Sequence, residues 1–163
     1  MIRRVVDTNV AIVANGRSDS NASIECHLAA IEFLNEMATN GCVIVDLDGE
    51  IQEEYRKHLK PSGQPGVGDR FYQLILLSSP LRVQRIALPR HSTGEYVDFP
   101  TDPALAPFDP SDRKFAAAAK KSSCPVVNAT DSDWLSYESV LRSHGIRVQF
   151  LCGRNTAKWV LAT

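Results

Sequence analysis

The chain has 163 residues, 44% hydrophobic and 23% charged, with a formal net charge of -1. That length and composition fit one soluble globular domain with a sizeable core. They exclude a strongly basic coat protein for nucleic acid, but not an enzyme acting on nucleic acid, because an acidic metal site offsets a basic rim in the sum.

No apolar run approaches the ~18 residues that span a bilayer, and no leader pattern opens the chain; a cytoplasmic protein without membrane attachment is expected. Cys26, Cys42, Cys124 and Cys152 form no CxxC pair, and three lie in or beside apolar runs. Buried free thiols in a reducing compartment are expected, ahead of disulfides or zinc.

The elements alternate in type along the chain. Ile2 to Val6 reads as a short buried strand, ended by Asp7, Thr8 and Asn9, where a helix can begin. Ala22 to Ala38 has helical spacing, with Ile24, Leu28, Ile31 and Leu34 along one face. Gly41 suits a helix C-cap and Cys42 to Val45 a strand. Asp48 to Leu59 is helical, residues 60 to 68 form a Pro/Gly loop, Asp69 to Ser78 is a helix and Leu81 to Leu88 a strand. Residues 89 to 110 carry five prolines and little periodicity, and read as a long surface loop insertion. Ser111 to Ser122 is a helix, Pro125 to Val127 a strand, Ser132 to Ser143 a helix and Arg147 to Leu151 a last strand. Short apolar strands alternating with helices predict an α/β domain with a mainly parallel sheet.

In such a sheet, sites form outside the carboxyl ends of the strands. Asp7 follows the first strand, and Asp131 and Asp133 follow a later one. The helix leading into that later strand starts at the same edge, with Asp109 at an N-cap, Pro110 at the first helical position and Asp112 at the third. Asp112, Phe115, Ala116 and Ala119 share a face, so Asp112 lies on the buried side. In the helix containing "EIQEEYRKHL", Glu54 lies about 80° from the apolar stripe, Glu50 about 120° and Glu53 about 180°. Periodicity favours Glu54 as a site residue; nearness to the strand ends favours Glu50.

Each acid also has an ordinary reading: Asp7 and Asp131 as N-caps, Asp112 as a capping partner, and Glu50 and Glu54 as solvated partners of Lys57 or His58. Their conjunction is what points to a cation. Two carboxylates ~5 Å apart repel by about 3 kcal/mol at an effective dielectric of ~20. Oxygen-only ligands suit Mg²⁺ or Mn²⁺.

Four segments, "VVDTNV", "EEYRKHL", "DPSDRKFAAAA" and "NATDSDWL", resemble the PIN domain in order and spacing over nearly the whole chain. The resemblance implies a single three-layer α/β/α domain over residues 1 to 163. It also implies a Mg²⁺- or Mn²⁺-dependent nuclease cutting single-stranded RNA to a 5′-phosphate and a 3′-hydroxyl. Its acidic set falls on Asp7, Glu54, Asp112 and Asp131, with Asp133 as a fifth; Thr8 matches the hydroxyl position beside the first acid. Many members are toxins of toxin–antitoxin modules, which brings in an antitoxin protein and a homodimer as partners. This chain is longer than most such toxins, chiefly over residues 60 to 108.

The reaction expected is phosphodiester hydrolysis, with one or two cations on Asp7, Asp112, Asp131 and Glu54. Thr8 and Asn9 are expected to hydrogen-bond the ligating carboxylates or the phosphate. Arg113, Lys114, Lys120 and Lys121 are candidates for neighbouring phosphates, or simply a solvated helix face. A phosphohydrolase with Asp7 as nucleophile wants a second acid at position 9, which is Asn9. The alternative that remains is a catalytically silent PIN-like module binding RNA or protein.

Overall fold

Five short runs rich in β-branched residues build one sheet: β1 (Ile2–Val6), β2 (Gly41–Asp46), β3 (Val83–Ile86), β4 (Val126–Asn128) and β5 (Val148–Phe150). The computed structural model describes residues 1–16 and 20–161. All pairings are parallel and the spatial order is β3-β2-β1-β4-β5. Parallel neighbours need helical crossovers. Among the described residues these are α1 (Thr8–Ala14), α2 (Ile24–Asn40), α3 (Glu50–His58), α4 (Val67–Leu77), α5 (Arg113–Ser122), α6 (Ser132–Ser136) and α7 (Glu138–Ser143). The result is a three-layer α/β/α sandwich with the sheet in the middle.

The strand order positions the site. The chain builds outward from β1 through β2 to β3, then crosses back to lay β4 on the other side of β1. Such a reversal opens a crevice outside the carboxyl ends of the two strands that flank it. Here those strands are β1 and β4, and Asp7 and Asp131 follow them.

Burial explains why the central strands read as continuous apolar runs. Val5, Val6, Val43, Ile44, Val45, Val126 and Val127 have no exposed surface. In α5 the small residues Ala116 to Ala119 are all buried, which lets this helix lie close against β1 and β2. Tyr55 of α3 donates its hydroxyl to the Val6 carbonyl at 2.6 Å, tying that helix to the end of β1.

Several expectations need correction. The buried face of α2 is Cys26, Ala30, Phe33, Leu34 and Met37, while Ile24 and Leu28 are exposed. In the first turns the buried residues are the small Cys26 and Ala30 rather than large ones. Gly41 does follow α2, but its φ of -101° is not left-handed. Glycine is required there by proximity: a Cβ would lie 2.5 Å from Met37 Sδ and 2.6 Å from its Cα. The helix expected over Ser132 to Ser143 is divided at Tyr137 into α6 and α7.

The loop over residues 89 to 110 is not confined to the surface. It buries Leu105 and Phe108, and the Phe108 ring meets Phe99, Trp134 and Tyr137 at 5.2 to 5.8 Å between centroids. A bridge between Arg90 and Tyr96 and a 3₁₀ turn at Pro103–Leu105 give it local order.

Cys26 and Cys152 are joined by a disulfide across 126 residues, so the expectation of four free thiols fails; Cys42 and Cys124 remain free and buried. The start of α2 and the turn after β5 meet in the fold, a proximity that no local spacing announces. Disulfides belong mainly to oxidising compartments, so the cysteines no longer argue for a reducing one. No helix among the described residues is long and apolar enough to cross a membrane.

Candidate metal centre

Asp7 ends β1 and caps α1, accepting from the Asn9 amide through Oδ1 at 3.1 Å. Its Oδ2 accepts from the indole Nε1 of Trp134 at 2.5 Å. Asp131 follows β4 and caps α6, accepting from the Asp133 amide at 2.9 Å. For both residues, capping and membership of the acidic cluster hold together. Asp112 is different. It ends a 3₁₀ turn (Pro110–Asp112) at the start of α5, makes no capping bond to that helix, and is 8% exposed.

Carboxylate oxygens of Asp7, Asp112 and Asp131 all lie within 4.8 Å of one another. A second set, Asp109, Asp112 and Asp133, meets the same criterion and shares Asp112. Two unit charges at that separation repel by about 3 kcal/mol at an effective dielectric of ~20. Protons must offset this repulsion when no cation does. Burial first, then the charges of Asp7, Asp131 and Asp109, push the Asp112 carboxyl up to about 9. Burial pushes Asp7 to about 6 against the hydrogen bonds from Trp134 and the Asn9 amide, and raises Asp131 as well.

The turns that carry the acids are held to each other by two asparagines. Asn9 Nδ2 donates to Asn128 Oδ1 at 2.9 Å, and Asn9 Oδ1 accepts from the amides of Ala129 and Thr130 at 2.8 and 3.1 Å. Asn128, fully buried, accepts from the Asp131 amide through Oδ1 and donates to the Asp131 carbonyl through Nδ2. Asn9 therefore positions the turn after β4; only its main-chain N–H reaches a carboxylate. Thr8 is 5% exposed and its Oγ1 is buried with no hydrogen-bond partner.

The glutamates stand apart from these sets. Glu54, with 16% of its side chain exposed, faces Lys114 of α5 at 3.2 Å. Burial raises its carboxyl, but Lys114 and Lys57 lower it further, and the net direction is down. Glu50 is 47% exposed and pairs with Arg90 of the long loop at 3.3 Å. Glu53 pairs outward with Arg56.

The cations are engaged as well. The Arg113 guanidinium donates to the carbonyls of Ala106 and Phe108 and lies 5.0 Å over the Phe99 ring, clamping the long loop to α5. Lys120 and Lys121 are exposed at the last turn of α5. Since α5 rises ~1.5 Å per residue, they lie about 12 Å from Asp112 along the helix, toward the opposite edge of the sheet.

Sequence reasoning passed over Trp134, Asn128 and the burial of Lys114. Trp134 is fully buried, and neither an indole nor an amide in a strand carries a titratable signal. No family model, curated protein or solved structure matches the chain.

Proposed function

We propose that the chain is a Mg²⁺- or Mn²⁺-dependent nuclease hydrolysing phosphodiester bonds of single-stranded RNA, as the PIN domain does. One observation carries the reading. Asp112 is buried beside Asp7 and Asp131 and makes no side-chain capping bond to α5, so helix capping does not account for it. The donor set fits the ion: the converging ligand atoms are carboxylate oxygens, the choice of a hard divalent cation. The unpartnered buried hydroxyl of Thr8, next to Asp7, fits a centre that completes its hydrogen bonds with a bound water or phosphate.

Asp7, Asp112 and Asp131 would hold the ion, with Asp133 at the outer side through its set with Asp112. When bound, the ion supplies charge stabilisation to the phosphate and a water of lowered pKa. The chain's own residues do the positioning. Trp134 and the Asn9 amide fix the two oxygens of Asp7. Asn128 fixes the main chain of Asp131, and Asn9 ties that turn to β1. The choice of RNA over DNA rests on the sequence resemblance.

The test is incubation of a fluorescent single-stranded RNA with the protein and Mn²⁺. Cleavage abolished by EDTA and by Asp7→Asn supports the proposal. Cleavage that survives EDTA refutes the metal dependence, and an intact RNA after prolonged incubation refutes the nuclease and leaves the silent binding module.

A further inference from the structure

Lys114 is 9% exposed, two residues after Asp112 on the same helix. Buried lysines are rare unless an acid compensates them. Its partner is Glu54, and Lys57 Nζ and His58 Nε2 approach the same carboxylate at 3.4 and 3.7 Å. Neither set of converging acids contains Glu54. A metal ion on Glu54 would stand against the Lys114 ammonium, a repulsion that partial burial strengthens.

We propose that Lys114 is the built-in counter-ion of Glu54, so that Glu54 is not among the ligands of the cation held by Asp7, Asp112 and Asp131. The inference rests on the nuclease reading in one respect, the assignment of those three acids to metal. The position matching the resemblance's second acid thus becomes half of an ion pair.

Mn²⁺ titration by calorimetry at pH 7.5, without RNA, tests this on four proteins: wild type, Asp112→Asn, Lys114→Met, and the paired variant Glu54→Gln with Lys114→Met. The paired variant removes both charges and leaves no orphaned buried ion. The paired variant should bind Mn²⁺ with the stoichiometry of wild type and an affinity within threefold of it. Asp112→Asn should bind at least 30-fold more weakly. Lys114→Met alone should also keep the stoichiometry and an affinity within threefold, since Lys57 and His58 still face Glu54.

A lower stoichiometry in the folded paired variant than in wild type overturns the inference. So does a tenfold or greater loss of affinity in that variant, or a tenfold or greater gain in Lys114→Met, which would show a released Glu54 joining the ligands. The Lys114→Met result stands even if the paired variant does not fold. Failure of wild type to bind any Mn²⁺ overturns the metal centre itself, whereas a loss confined to the paired variant overturns only the role given to Lys114.

Discussion

Trp134 donates its indole N–H to Oδ2 of Asp7 across 127 residues of sequence, joining the first turn of α6 to the end of β1. The same ring meets Phe108 edge-on at 5.2 Å between centroids, so the anchor of the long loop also backs the acidic centre. Trp134→Phe keeps an aromatic ring and removes the donor. Hydrogen-bond partners of ligating groups typically contribute 10- to 100-fold to metal affinity. Mn²⁺ binding by Trp134→Phe should weaken by about tenfold or more, with the protein still folded by circular dichroism. An affinity within twofold of wild type would show that the indole is only packing.

Asn128 is fully buried and bonds Asn9, the Asp131 amide and the Asp131 carbonyl. Asn128→Ala leaves those groups without their partner, at about 1–3 kcal/mol for each that stays unsatisfied. A loss of about 2–4 kcal/mol in urea unfolding is expected. A loss below 1 kcal/mol would mean that the two turns hold each other by other contacts.

The placement of Asp7, Asp112 and Asp131 was legible because punctuation fixes it. Two follow β-branched runs, and Asp112 follows an Asp-Pro helix start, so topology alone brings them to one edge. The α2 face was not legible, since Ile24 and Leu28 carry the apolar signal while the small Cys26 and Ala30 are the buried residues. The burial of Lys114 escaped notice because α5 is buried from Lys114 through Ala119, more broadly than one stripe. In so covered a helix, period does not separate inside from outside. The Cys26–Cys152 pairing depends on a tertiary proximity with no local trace.

That pairing closes a long loop, and loss of a native disulfide typically costs about 2–5 kcal/mol. Dithiothreitol should lower the melting temperature by several degrees, and Cys26→Ser should reproduce the effect while Cys42→Ser should not. Four reactive thiols in the unfolded, unreduced protein would contradict the disulfide directly.

Burial and neighbouring acids raise Asp112, Asp7 and Asp131, so the folded metal-free chain holds more protons than the unfolded chain. Stability therefore falls as pH climbs from the ordinary carboxylate range toward about 9, the value for Asp112. The acids held low, Glu53, Glu54, Asp102 and Glu138, act in the opposite sense, losing stability as pH falls through and below the ordinary range. In EDTA the melting temperature of wild type should drop on going from about pH 5.5 to pH 8.5, with a flatter curve for Asp112→Asn. At pH 8.5 that variant should melt above wild type. Mn²⁺ should reverse the order, since a hundredfold excess over Kd adds about 2.7 kcal/mol to the protein that binds it. An order unchanged by metal would remove Asp112 from the centre.

The most direct measurement is the rate at which folded wild type and folded Asp112→Asn cleave a 5′-labelled single-stranded RNA, each in Mn²⁺ and in EDTA. Wild type should cleave only with Mn²⁺, and Asp112→Asn should be at least 100-fold slower with the ion present, a loss of about 2.7 kcal/mol in transition-state stabilisation. Equal rates for the two proteins, or equal rates with and without the metal, would contradict a catalytic centre built on Asp7, Asp112 and Asp131.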